Sequence, residues 1–473
     1  MRRFRRFLLT AVTGAIAITP STAHAHGIQG RADLPVPIIA FYWAASIVLV
    51  VSFVGLAFAW KRPLLERVLA RHRAGVPAAA GRATTAVLRA GRVLSVALLA
   101  LVIATALFGS RDLNTNFAPI WVFVAWWIGI AVLAATVGDV WRAVHPAAAI
   151  ARVMRMPEER AYPERFGMWP AFAMLGLFTW LELVYPTAAN VRLLGTLVCV
   201  WLVSTLVSMR VWGIRPTLDN VEPFSAYTRV LGTLGVFGAD GTGVERRPPI
   251  VGVIGLRPTA GLAAFVGLLI GSVSYDGLSR TLWWKQRVSQ GTTRLVERGL
   301  EARDAQLVFG TIGLVVMVAL AIGAFLATAL VAGRLGNLPR SSRYGTVAEA
   351  FAPSLVPIAF AYVVAHYFSF FWFQAQNVVR LVSDPFGVGA DIFGTADFQV
   401  DYSTLSANAI WGVQVGAIVV GHVVALVLAH DRALELEREG RAAHAVRSQW
   451  PMLALMVLYT VGGLYFLSEG LNG

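Results

Sequence analysis

The chain has 473 residues, of which 57% are hydrophobic and only 14% charged, with a mean hydropathy of +0.65. So much apolar surface with so little charge excludes a soluble globular domain and leaves the bilayer as the main solvent. The formal net charge of +14 does not mark a nucleic-acid partner, because the arginines flank apolar runs, where anionic lipid and insertion topology account for them.

The chain opens on the basic stretch Arg2-Arg3-Phe4-Arg5-Arg6, an apolar run from Phe7 to Ala17, Pro20, and small residues at Ala23 and Ala25. This is the pattern of an ordinary signal peptide over residues 1–25, and cleavage would leave His26 as residue one. Beyond it, spans are expected at Ile38 to Trp60, Val93 to Gly109, Pro119 to Trp141, Met168 to Tyr185, Val191 to Val211, Thr259 to Tyr275, Leu307 to Ala332, Pro353 to Gln376, Ala407 to Ala429 and Pro451 to Leu467. The expected fold is all-α: a polytopic helical membrane protein of about ten transmembrane helices, with residues 26–473 as a single domain. With His26 outside, the connections placed inside hold 26 Lys and Arg residues against 10 in the mature outer segments, which favours that orientation in a bacterial inner membrane. The outer connection Gly277 to Gln306 is basic and carries Trp283-Trp284-Lys285, as an interfacial amphipathic segment would. Asn377 to Ser406 is acidic, with Asp384, Asp391, Asp397 and Asp401 against only Arg380. No matching motifs relate the two halves, and no long linker suggests a second domain.

An ionisable group left inside a spanning run is costly, so the few present are the candidates for function. Glu182 falls within about the last turn of the fourth span, as a proton acceptor, a ligand, or a group that bonds a neighbouring helix. Asp276 ends the sixth span before Gly277, a residue suited to a helix C-terminus. A carboxylate there opposes the helix dipole, so Arg280 or a cation should compensate it. The eighth span places Tyr362, His366, Ser369 and Phe373 on one face. Its histidine can ligate a metal, relay a proton, act as a base, or simply satisfy a packing contact. Gln414, His422 and His430, eight apart on the ninth span, could extend a polar column from His366, although its members stand too far apart along the membrane normal for shared ligation. Asp139, Trp141, Arg142 and His145-Pro146 read as interface anchors and a loop turn. Cys199, the lone cysteine, reads as a small core residue, and one chain can build neither a disulfide nor a thiolate site from it. An N-terminal His26 offers an amine and an imidazole to a metal such as Cu(II). No spaced Cys or His cluster, phosphate loop, Ser-His-Asp order or HExxH sequence is present, so the residues alone do not reach a reaction.

Several stretches together resemble a bacterial membrane family: His26-Gly27-Ile28-Gln29-Gly30-Arg31-Ala32-Asp33-Leu34-Pro35, Trp180-Leu181-Glu182-Leu183, Tyr275-Asp276-Gly277, and Phe351-Ala352-Pro353-Ser354-Leu355-Val356-Pro357-Ile358 leading to Ala365-His366-Tyr367. Gly421-His422-Val423, Ala429-His430-Asp431 and Gln449-Trp450-Pro451-Met452 complete the likeness, which covers nearly the whole mature chain. The family is usually described as fenitrothion hydrolase or fenitrothion hydrolase-like. The resemblance implies hydrolysis of a lipophilic organophosphate triester to a nitrophenol and a dialkyl thiophosphate, and it transfers no catalytic role residue by residue. The residues themselves suggest an outer-facing site of Glu182, Asp276 and His366, with His26 and His366 as metal ligands. Copper or zinc is the candidate cofactor, and Arg280 or that metal would meet charge developing at phosphorus. The rival class is a transporter or metal-handling protein with the same polar groups along a path. A scaffold that needs a second membrane subunit, or another copy of the chain, is the third. One closed pocket would favour the enzyme, and a cavity reaching both faces the transporter.

Overall fold

The computed structural model describes residues 38–72, 74–75, 78–186, 190–239, 244–339, 341–342, 345–437 and 442–472, so the signal segment and His26 lie outside the described residues. Among the described residues ten helices are long and apolar enough to cross a membrane, and the chain is a multi-pass membrane protein. In order they are α1 (Ile38–Ala59), α2 (Ala78–Phe108), α3 (Phe117–Thr136), α4 (Trp169–Leu183) and α5 (Val191–Trp212), then, after the short α6 (Pro223–Gly232), α7 (Leu262–Arg280). A non-spanning α8 (Leu282–Val296) precedes α9 (Ala302–Leu335), α10 (Val356–Gln374), α11 (Ala407–Leu436) and α12 (Ala442–Asn472). The ends have local causes: Asn116, Asn190 and Ser406 accept hydrogen bonds from the first-turn amides of α3, α5 and α11. Little sheet is present. Ala74–Gly75, Phe237–Ala239 and Val244–Arg246 form one small antiparallel sheet, and Ser341–Ser342 pairs with Gly345–Thr346.

Two packed groups make up the bundle. The larger joins α1, α7, α9, α10, α11 and α12, while α2 packs on α5 beside the start of α3, and α4 and α6 fill the join. Trp43, Phe58, Val203, Val207, Leu320 and Leu330 remain exposed on spanning helices, as expected where lipid covers apolar side chains. By contrast, the most apolar windows of α7 and of the segment ending in α10 are 78% and 72% buried, so the helices carrying Asp276 and His366 are central.

Several boundaries differ from the sequence reading for one reason: hydropathy marks where lipid is, while the helix continues into water or protein. The helix α2 starts fifteen residues before Val93, and α11 runs on past Ala429 through buried His430, Asp431 and Arg432. The helix α7 does not stop at Gly277 but continues to Arg280. Gly277 is thus no C-cap; a Cβ there would lie 2.8 Å from the Phe466 Cβ, so the glycine lets α12 approach α7. The largest difference lies in the connection between the expected fifth and sixth spans, taken in the sequence as a loop without a packed helix. Its α6 is buried at every position except Arg229 and packs against α3 and α4. Ten residues rise only about 15 Å, too short to register as a span.

Candidate functional site

Glu182 stands half-buried in the last turn of α4 and faces a cavity within the bundle. Facing it, α3 is wound as a π-helix over Trp121–Trp126, a form often found at functional sites. The next residue, Trp127, stands within hydrogen-bonding reach of the Glu182 carboxylate and stacks on Tyr227 of α6, with ring centroids 4.9 Å apart. Trp127, Thr179, Glu182, Tyr227, Ser272 and Tyr367 line a small cavity of about 20 Å³, room for one or two waters.

Beside this cavity lies an ionic cluster. His366 Nε2 is 2.5 Å from Asp276 Oδ2, with side chains 14% and 10% exposed. The contact is out of line for a hydrogen bond, which leaves the Nε2 without an aligned partner, and it is an ion pair only when the imidazole carries a proton on both nitrogens. Tyr367 donates from its hydroxyl to the same oxygen at 3.4 Å, and Arg280, one turn along α7, donates from Nε to Oδ1 at 3.3 Å. Arg280 therefore supplies the compensation that Asp276 was expected to need. Tyr367, bonded to Asp276, lines the same cavity as Glu182 and so links the two carboxylates. The structure thus brings Glu182, Asp276 and His366 into one neighbourhood, with Tyr367 between the ion pair and the cavity. Sequence reasoning missed Trp127, an aromatic in an apolar run with no signal of its own, and Tyr227, which falls between the expected spans.

Among the described residues no three His, Cys, Asp or Glu side chains are grouped to hold a metal ion. The imidazole of His366 has Nε2 engaged by Asp276, leaving Nδ1 as the nitrogen for a metal. His26, its expected co-ligand, lies outside the described residues. The other histidines have structural partners rather than a shared column. His422, fully buried, donates from Nδ1 to its own helix at Ile418 O (2.7 Å), and His430 is fixed by Gln449 Oε1 (2.7 Å) and Trp60 O (2.8 Å).

His145 forms the expected turn, between the helices Val140–Val144 and Pro146–Val153. It caps the helix Pro146–Val153, its Nδ1 accepting from Ala148 N at 3.3 Å, so Nε2 carries the proton and faces Glu222 Oε2 at 3.3 Å. Glu222 also accepts from Trp201 Nε1 (2.9 Å), Phe224 N (3.2 Å) and Ser225 N (2.6 Å), the last two capping α6. Burial pushes the Glu222 carboxyl upward, but the hydrogen bonds from His145, Trp201 and Ser225 outweigh it and hold the group below its ordinary value. Nearby Asp139 accepts from Thr228 Oγ1 at 2.9 Å and is raised, chiefly by burial. Arg142 pairs with Asp219, whose carbonyl accepts from Arg229 at 3.0 Å. This polar network fixes α6, and with it Tyr227, at the edge of the cavity.

The fold and the site define a class: a multi-pass helical membrane protein with a buried acidic and histidine cluster beside a water-sized cavity. No family model, curated protein or solved structure matches the chain.

Proposed function

We propose that the chain is a membrane-embedded hydrolase of lipophilic organophosphate triesters, of the fenitrothion type that its sequence resembles. The observation that carries this reading is the Asp276 to His366 contact of 2.5 Å, joined by Tyr367 and adjoining a cavity of water size. Asp276 orients and stabilises the imidazolium, as a carboxylate does for a catalytic base. A water attacks phosphorus and gives its proton to His366 Nδ1. The bond from phosphorus to the aryl oxygen breaks, and the nitrophenolate leaves with the electron pair, forming a dialkyl thiophosphate. The cavity is too small for the triester, so the substrate approaches from the side where the Arg280 side chain is 57% exposed, and its guanidinium meets the developing charge. A copper or zinc ion, if bound at His366 Nδ1 with His26, would polarise the phosphoryl group instead and would leave a carboxylate as the base. The reading includes cleavage before His26, an outward N-terminus and a bacterial inner membrane, as the arginine distribution favours.

One observation favours transport instead: a cavity with room for one or two waters suits a proton or small ion better than an ester. Proteoliposomes holding the chain alone separate the two. The hydrolase reading expects nitrophenol release from fenitrothion that falls by about 10²-fold or more in His366→Ala and in Asp276→Asn. A folded, inserted protein giving no release above empty vesicles would overturn autonomous hydrolysis. A pH-sensitive dye in the same vesicles, reporting flux that His366→Ala abolishes, would establish transport.

A further inference from the structure

Glu182 poses an electrostatic problem that the ion pair does not solve. Asp276 has His366 and Arg280 beside it, whereas among the described residues Glu182 makes no ion pair with Lys, Arg or His and has only the Trp127 indole. An uncompensated carboxylate inside a membrane bundle is costly, so something must neutralise it.

The oxygens around the cavity indicate what. Thr179 donates its hydroxyl proton to Gly176 O (3.0 Å), and Ser272 donates to Leu269 O (3.3 Å). Tyr367 commits its proton to Asp276. Three lining hydroxyls therefore offer the cavity lone pairs and no protons. Tyr227 is 2% exposed, lines the same cavity, and makes no hydrogen bond through its hydroxyl among the described residues. With Tyr227 free to turn its proton away, the carboxylate and these hydroxyl oxygens form an all-oxygen site that suits a hard cation rather than an anion or a soft metal. With one carboxylate free and Asp276 already paired, the net ligand charge of minus one suits a monovalent ion.

We propose that the cavity beside Glu182 binds a sodium ion, held by the Glu182 carboxylate and the oxygens of Thr179, Ser272 and Tyr227, with the remaining volume taken by water. The site adjoins the Asp276 and His366 pair through Tyr367, and its test reads ion binding whether or not that pair hydrolyses esters.

The test is thermal unfolding of the purified full-length protein in detergent, in sodium, potassium or choline chloride at matched ionic strength. Sodium should raise the melting temperature saturably, and potassium and choline should not, because a ligand that binds only the folded state stabilises it by mass action. Glu182→Gln should remove the sodium effect while melting no lower than the unsubstituted protein in choline. Ser272→Ala and Tyr227→Phe, milder changes in case Glu182→Gln does not fold, should each raise the half-saturating sodium concentration about tenfold. Equal melting in all three salts would overturn the proposal and assign a proton to Glu182. A sodium effect unchanged in Glu182→Gln, or in both milder variants, would overturn it too.

Discussion

Replacing Glu222 by alanine tests how α6 is held in the bundle. Glu222 is 1% exposed and accepts four hydrogen bonds, two from the first turn of α6, one from Trp201 on α5 and one from His145. Loss of the helix cap costs about 1 kcal/mol. Stranding the buried Trp201 and His145 donors costs about 1 to 3 kcal/mol each. These losses overlap, because one relaxation of α6 relieves several of them, so the expected total is about 3 to 5 kcal/mol. Equilibrium unfolding in mixed detergent and SDS micelles measures it. Adding Trp201→Phe to Glu222→Ala should cost little more, since the second change removes a donor that the first left unpaired. A loss under about 1 kcal/mol for Glu222→Ala, or full additivity of the two changes, would refute the hub. The same variant should weaken sodium stabilisation, because Tyr227 rides on α6.

A pH series should show the lowered Glu222 carboxyl directly. Its stabilisation is in place above the ordinary glutamate range of about 4.3 and is lost as pH falls through the lowered folded value, so the advantage over Glu222→Gln should shrink below about pH 4. An advantage constant from pH 7 to pH 3 would contradict this. Gly277→Leu should destabilise by about 1 to 3 kcal/mol or more by wedging α12 from α7, since the first added atom already lies 2.8 Å from the Phe466 Cβ. Unchanged stability would mean that the helices part freely. Gly421→Val should act likewise between α11 and α10, where a Cβ would meet that of Ala361 at 2.4 Å. Asp431→Ala should cost about 2 to 4 kcal/mol, because the carboxylate accepts from Trp60 Nε1 (3.1 Å) and Leu64 N (2.7 Å) at the turn after α1. Unfolding measurements would find no such loss if water substitutes for the carboxylate.

The ten spans are legible in the sequence because lipid imposes length and apolarity on any helix that crosses it. Glu182, Asp276 and His366 were legible for the converse reason, as charged or ionisable groups where lipid tolerates few. Their mutual placement was not, because the Asp276 contact to His366 joins positions ninety residues apart and depends on how α7 meets α10. Neither was α6, whose burial is supplied wholly by neighbouring helices. Equal spacing suggested one polar column for His422 and His430, yet their partners are Ile418 O, Gln449 and Trp60 O, which no spacing rule could name. Gly277 misled because a glycine near a span end suits a cap as well as a close helix contact, and only the position of Phe466 decides.

The wide turn at Trp121–Trp126 makes the site sensitive to chain length. A π turn accommodates one residue more than an α turn, and each residue turns an α-helix by about 100°. Deleting one residue there would restore an α turn with Trp127 near its place, whereas inserting one beyond the residue already absorbed would leave a segment as apolar as before, still long enough to cross the bilayer. Trp127 and everything after it would be rotated by about that angle relative to Phe117, or else the strain would pass into the loop capped by Asn116. The indole would then turn away from Glu182. Insertion variants in this one stretch would therefore silence the protein while leaving its topology untouched, and single deletions would be tolerated better.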